Sequence, residues 1–292
     1  GIDNISLDLM LGIPMQTPFW ITSRTLPTEP RKRYVLGGSL SWDITDWLTA
    51  SGRVRVDNSA ITDESKNYAS TNTQLTGGSL NGSYSTSEMK DRQTYADALL
   101  SADKRFGEWS LSGQFGASVK DMYFYSMGLG GPIADTKLAN KFFLGMLDQS
   151  QMSPSQSDAH QQVQSIYGQA EIGWKGAYYL TVTDRRDWGS GLFGPLSTKH
   201  SFHYPSAGLS VVLSQAFCMP KSVELLKVRG SYARVGSAFE RFIANPQHSY
   251  SVSTASYATN ASYPLALKPE YTSSWEAGLQ ARLAGGLSLD AT

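Results

Sequence analysis

Charged side chains recur at every second position in several stretches of this chain, in phase with hydroxyls and amides. Arg53, Arg55 and Asp57 alternate with Val54 and Val56, and Asp97, Asp103 and Arg105 share a phase with Ser101. Glu171, Arg185, Lys227, Arg229, Glu276 and Arg282 repeat the arrangement further along. Mixed signs at this spacing suit ion pairs between neighbouring strands rather than acid–base work on a substrate. No catalytic constellation stands out, and the chain is not expected to be an enzyme. His160, His200, His203 and His248 all sit in or beside loops. His200 and His203 offer two metal ligands, but no cysteine or carboxylate pattern completes a site, so solvated histidines are expected. Gly128-Leu129-Gly130-Gly131-Pro132 lacks the Lys-Ser/Thr of a phosphate loop and reads as a mobile loop. No cofactor and no metal are expected. The loop aromatics Tyr123, Phe124, Tyr125, Trp188 and Phe193 are the candidates for substrate contact, by stacking on sugar rings or flanking a peptide. Trp188 equally suits an anchor at a membrane boundary.

These residues need elements to hold them, and Ser165–Trp188 shows the pattern most clearly. Ile166, Gly168, Ala170, Ile172 and Trp174 take one phase; Ser165, Tyr167, Gln169 and Glu171 take the other. After a tight turn at Trp174-Lys175-Gly176-Ala177, Tyr178, Leu180 and Val182 oppose Tyr179, Thr181, Thr183, Arg185 and Asp187. A period of two separates the faces of a strand, and Lys-Gly between two such runs predicts a hairpin. The unit recurs at Val35–Asp43 with Trp47–Asp57, at Thr94–Phe106 with Glu108–Val119, and at Tyr204–Gln215 with Leu226–Val235. Ser274–Leu283 is a further strand, and another starts near Leu287. Between the pairs lie long polar excursions without periodicity: 58–92, 120–163, a shorter one at 189–203, and 236–272. Residues 2–30 read as a strand remnant at Ile5–Leu9 followed by a proline-broken loop.

Composition narrows the class. Formal charge is zero, with 25 basic and 25 acidic residues, which leaves no nucleic-acid footprint. Only 17% of residues are charged, while Tyr and Trp number 15 and 7. Few charges and many amphipathic rings suit a protein that meets both lipid and water. The single cysteine, Cys218, rules out an internal disulfide framework. No apolar run is long enough for a transmembrane helix, and no signal peptide is visible at the start. Gly1 and the interrupted strand at Leu287–Thr292 suggest a piece of a longer chain.

Brief turns at one end of the strands and long loops at the other are the mark of an outer-membrane barrel. Strands of about 10 residues match the tilted crossing of a bilayer core. The expected fold is all-β, an antiparallel up-and-down transmembrane β-barrel. The alternatives are a self-contained outer-membrane barrel acting as adhesin or pore, and a soluble all-β sugar-binding protein. In a membrane barrel the charged phase must line the lumen, since Arg or Lys facing lipid at mid-depth costs about 2–4 kcal/mol.

Several strand segments also resemble one family, the SusC-like TonB-dependent outer-membrane transporters. They include Gln16-Thr17-Pro18-Phe19-Trp20, Asp43-Ile44-Thr45-Asp46-Trp47-Leu48, and Leu99–Gly107 with Ser110–Gly113. Asp184-Arg185-Arg186-Asp187-Trp188, Tyr204–Ser210 and Leu226–Gly236 follow, and Pro269–Gly278 closes the set. The matches run in family order; the long loops match nothing. The resemblance implies a barrel of about 22 strands filled by an N-terminal plug, of which residues 1–292 form part of the single barrel domain, about half its strands, with the plug absent. It further implies import of oligosaccharides or peptides, a SusD-like surface lipoprotein as lid, the TonB machinery acting through the absent plug, and outer-membrane lipid around the wall.

Overall fold

The computed structural model describes residues 18–237, 243–244, 248–251, 256–259, 267–268 and 270–292. The remnant expected at Ile5–Leu9 therefore lies outside the described residues, as do Gln16, Thr17, Pro269 and much of the 236–272 excursion. The chain opens with α1 (Pro18–Arg24) and β1 (Thr25–Thr28), followed by the long strands β2 (Arg31–Thr45), β3 (Leu48–Tyr68), β4 (Gly82–Phe106), β5 (Trp109–Pro132) and β6 (Ser153–Trp174). Next come β7 (Tyr178–Gly189), β8 (Phe202–His203), β9 (Ser206–Val212), the single turn α2 (Leu213–Ala216) and β10 (Val223–Ser237). The last elements are β11 (His248–Ser251), β12 (Ser256–Thr259), β13 (Glu270–Leu283) and β14 (Ser288–Ala291). One sheet runs in the order β1-β3-β4-β5-β6-β7-β9-β10-β13-β14, with β2 also on β3 and β8 also on β7; β11 and β12 pair separately. From β3 to β7 each strand pairs with its chain neighbour, as expected of an up-and-down meander.

The hairpin predicted around Lys175 is present, with Trp174 and Tyr178 as the last register pair. Lys175 (φ 56°) and Gly176 (φ 65°) are both left-handed, the geometry that matches a two-residue turn to the twist of its strands.

Two expectations are corrected. The excursions 58–92 and 120–163 are largely strand: β3 continues to Tyr68, β4 resumes at Gly82, β5 continues to Pro132 and β6 begins at Ser153. Their Ser, Thr, Asn and Gln side chains give no alternation, yet their backbones find ladder partners. Pro18–Arg24 is a helix rather than a loop, because proline is tolerated in the first turn, where its missing N–H has no partner to lose.

The chain divides into two compact units: Gly1–Leu36, Val56–Gln93 and Met122–His160 form the first, and Gly37–Arg55, Thr94–Asp121 and Gln161–Thr292 the second. The first has a small core of Tyr84, Ile133 and Leu147, against which Phe142, Met146 and Met152 pack. Its loops are tied by side chains: Asn81 Nδ2 donates to the carbonyls of Ala134 and Lys137, Ser79 Oγ donates to the Ile133 carbonyl, and the Ala69 amide donates to Asn140 Oδ1. Buried Trp20 of α1 donates from Nε1 to Thr71 Oγ1 at 2.9 Å. In the second unit the apolar side chains of the strands are not covered: Leu40, Trp109, Phe115, Ile172, Leu209 and Trp275 are all exposed.

Candidate functional site: a two-faced wall

Register decides which residues share a face, since paired residues on adjacent strands point the same way. Across β6, β7 and β9, Ile172 pairs with Leu180 and Leu180 with Leu209; Ala170 pairs with Val182 and Val182 with Ala207. The other phase pairs Glu171 with Thr181, Gln169 with Thr183, and Thr183 with Ser206. Across β10 and β13, Val228 meets Leu279 and Tyr232 meets Trp275, whereas Ser231 meets Glu276 and Lys227 meets Gln280. One face is thus apolar and uncovered; the other carries hydroxyls, amides and charges. A soluble sandwich would bury the first face, and here Ile172 and Leu279 remain 42% and 38% exposed.

The charged phase forms contacts between strands. Arg53 Nε lies 3.0 Å from Asp97 Oδ1, and the Asp97 side chain is only 1% exposed. Arg185 Nε reaches Asp187 Oδ1 at 2.7 Å, its Nη2 donates to Ser165 Oγ, and its guanidinium lies over the Tyr167 ring. Thr181 Oγ1 donates to Glu171, and Arg229 pairs with Asp290 at 3.3 Å and donates to Thr292. Asp103 lines a polar cavity of about 240 Å³ with Ser101, Ser112, Gln114 and Gln169. Arg105 is exposed near the Gly107 turn, and Arg282 pairs in register with Leu225 and Ser288. Arg55, one residue beyond Val54, is exposed and keeps the phase of Arg53.

The aromatic candidates do not converge. In the first unit Tyr123 sits beneath the Arg92 guanidinium at 5.8 Å and edge-on to His160, with Phe124 and Tyr125 half-buried beside it on β5. In the second unit Trp188 pairs in register with Gln164, on the side of β6 that carries Ile166 and Ile172. Phe193 stacks on His200 at 4.7 Å. Trp188 and Phe193 share the lining of one cavity, so these two are brought together, but at the margin of the apolar face. His203 approaches Asp184 through Nε2 at 2.7 Å. No group of metal-ligating side chains occurs among the described residues.

Sequence reasoning missed an interlock on the polar face. A Cβ at Gly116 would stand 2.8 Å from the Tyr167 ring and 2.9 Å from the Ala98 carbonyl oxygen. The tyrosine therefore lies across a bare backbone, and only glycine leaves it room. The available signal was a glycine standing in the polar phase of β5 among Gln114 and Ser118.

The apolar phase also stops before the strands do. On β7 it runs Tyr178, Leu180, Val182 and then turns to Asp184 and Arg186; on β6 it runs Trp174 to Ile166 and then turns to Gln164 and Gln162. At the short-turn end it finishes in rings, with Trp109 stacked on Trp174 at 5.9 Å and Trp174 against Tyr178 at 5.4 Å. An apolar band of limited height with an aromatic girdle is what a bilayer imposes on a strand wall. Glu64 lies in β3 well beyond the ten or so residues that cross, and there Lys66 first, then Tyr84, hydrogen-bond its carboxylate and hold it below its ordinary value.

The model of a family described as "TonB dependent receptor-like, beta-barrel" matches residues 7–292. No curated protein sequence matches the chain. Among solved structures, the chain is similar to the RagAB peptide transporter (TM-score 0.79, 14% identity, 94% of this chain and 31% of that one). It is likewise similar to the RagAB peptide importer in its open-open state (TM-score 0.81, 14% identity, 99% of this chain and 32% of that one). Similarity extends to the siderophore receptor PiuA from Acinetobacter baumannii (TM-score 0.52, 14% identity, 90% of this chain and 39% of that one). The chain spans about a third of the length of the RagAB chains it matches.

Proposed function

The chain belongs to the TonB dependent receptor-like β-barrel family, and from that premise we propose that it is a wall segment of a gated outer-membrane importer. Its place is the bacterial outer membrane, and its fold is that of a partial antiparallel barrel. One observation carries the reading: register sorts charges and hydroxyls onto one face and leaves the apolar face open, with an aromatic girdle at the short-turn end. A channel-lining surface and a lipid-facing surface are what a transport barrel requires of a single sheet.

In this reading residues 1–292 belong to one barrel domain whose plug and remaining strands lie elsewhere in the protein. Arg53, Arg55, Asp97, Asp103, Arg105, Glu171, Arg185, Arg229, Glu276 and Arg282 line the lumen. Five of these ten, Arg53, Asp97, Glu171, Arg185 and Arg229, contact other strands through their side chains, so their role is to hold a wide wet wall in register rather than to select cargo. Phe124 keeps the phase of Gln114 and Ser118 on β5 and is the stronger cargo-contact candidate; Tyr123 and Tyr125 take the phase of Phe115 and Ala117, and Trp188 and Phe193 stand at the apolar margin. Alternation sets Phe124 on the opposite side of β5 from its two tyrosine neighbours. The cargo is an oligosaccharide or peptide, a SusD-like surface lipoprotein lids the barrel, and TonB acts through the plug; these elements rest on the family resemblance of the strands. The test is deletion in the native host followed by growth on defined oligosaccharides or peptides as sole carbon source. Loss on one class, restored by the full-length protein, is expected. Growth unchanged on both classes overturns the import reading.

A further inference from the structure

The apolar face of the second unit ends in a cluster that the wall itself does not need. Beyond Val182, strand β7 keeps its alternation, so Asp184, Arg186 and Trp188 project on the side that carries Leu180. Arg186 pairs in register with Ile166 on one neighbour and with His203 on the other, which fixes its direction. From Tyr178 in the girdle to Arg186 the strand rises about 26 Å, or roughly 20 Å along the membrane normal at a tilt near 40°. That height is about 5 Å short of the far edge of a hydrocarbon band of about 25 Å, within the reach of an arginine side chain that extends to the head groups.

The surroundings of Arg186 form a cationic shelf on aromatic supports. Its guanidinium lies 5.2 Å over the Trp188 ring and donates to Ser201 Oγ at 3.1 Å. With Lys199, His200 and Tyr271 it lines a cavity of about 840 Å³. Arg234 stands 4.1 Å over the ring of Tyr271, which lines that cavity. Among the described residues lining it, Asp184 is the only carboxylate, and it is engaged by His203. Among the described residues, the permanent cations Arg186 and Lys199 on the cavity, with Arg234 behind Tyr271, outnumber that single carboxylate. Trp188 is shared with a second, apolar hollow of about 940 Å³ whose lining includes Leu40, Val54, Ala96, Ala98 and Ile166. Small Ala96 and Ala98 between the larger side chains leave a trough on the lipid side.

We propose that this shelf and trough bind one lipid of the surrounding outer leaflet, its phosphate on Arg186, Arg234 and Lys199 and an acyl chain along Ala96 and Ala98. Guanidinium and ammonium groups suit phosphate oxygens, and basic pockets beside membrane-spanning elements recognise anionic head groups. The inference rests on the outer-membrane placement of the chain and not on what the barrel carries, so a failed uptake assay leaves it standing.

The test is native mass spectrometry of the full-length protein in detergent, titrated with diphosphorylated lipid A, with the same lipid stripped of phosphate, and with inorganic phosphate. Diphosphorylated lipid is retained by the wild type, and Arg186→Gln combined with Arg234→Gln weakens it about tenfold or more. Lys199→Gln, in the loop and outside the ladder, weakens it several-fold and serves where the double variant fails to fold. Lys221→Gln, in the short turn at the opposite end, leaves it unchanged. Equal binding by wild type and by both shelf variants overturns the proposal. So does equal retention of the stripped lipid, which would make the contact purely apolar, or displacement of the lipid by inorganic phosphate, which would make it a free-anion site.

Discussion

Placing one arginine on each face of a single strand tests the two-faced wall directly. Ala170 and Gln169 are neighbours on β6, with Ala170 paired to Val182 and Gln169 paired to Thr183. Ala170 lies four residues from Trp174, about 13 Å along the strand and roughly 10 Å along the membrane normal. In an apolar band about 25 Å tall that is close to mid-depth. An arginine at position 170 therefore faces hydrocarbon near its centre and costs about 2–3 kcal/mol, the upper range being trimmed by the reach of the side chain toward the head groups. An arginine at position 169 joins Glu171, Thr181 and Thr183 on the wet side and costs less than about 0.5 kcal/mol. The assay is urea-titrated folding of the full-length protein into lipid vesicles, followed by tryptophan fluorescence, with Ala170→Arg and Gln169→Arg compared at matched lipid. A cost for Gln169→Arg equal to or larger than that for Ala170→Arg would invert the faces and refute the reasoning.

Three further outcomes follow from particular contacts. Gly116→Val drives a methyl group into the Tyr167 ring and the Ala98 carbonyl; the ring can swing but the carbonyl cannot, so about 1–3 kcal/mol is lost and the melting temperature in detergent falls. Gly113→Val, whose nearest neighbour stands at 3.5 Å, leaves it nearly unchanged, and equal melting of the two variants would remove the interlock. Glu64 is held below its ordinary value of 4.5, so its stabilising contribution is complete above about pH 4.5 and disappears as pH falls through the folded value. Hydrogen exchange of the β3 segment around it, corrected for intrinsic rates, rises on acidification in the wild type and is flat over the same range in Glu64→Gln; parallel profiles would show that the carboxylate is not responsible. Trp20→Ala removes the buried ring and the Thr71 hydrogen bond that fasten α1, at about 3–5 kcal/mol locally. Trypsin then cuts after Arg24 faster than in the wild type, and an unchanged rate would mean that α1 is held by something else.

What the sequence made legible depends on where the strands meet oil. Alternation is sharp wherever one side of a strand is apolar, which is why Leu48–Val56, Ala96–Ala102 and Ile166–Trp174 could be assigned to faces by inspection. Past Asn58 on β3 and past Lys120 on β5 both sides meet water, and serine, threonine and tyrosine serve equally well on either, so the period vanishes while the strand goes on. Hydrogen-bonded partners, invisible in one-dimensional text, are what keep those segments extended. The same limit applies to the charges. Their phase was readable, but that Arg53 meets Asp97, 44 residues away, depends on strand register. Arg185 and Arg186 show the point most sharply: adjacent and chemically identical, they are separated only by register, which gives the first Tyr167 as partner and the second Ile166. In the proposed wall one arginine would join the wet side and the other the lipid side. The place where an apolar phase turns polar while its strand continues is therefore informative in itself. Between Ile166 and Gln164, roughly 20–25 Å above Trp174 along the membrane normal, it falls near the far edge of an apolar band about 25 Å tall, and a cation standing there is where the head group of a lipid would be met.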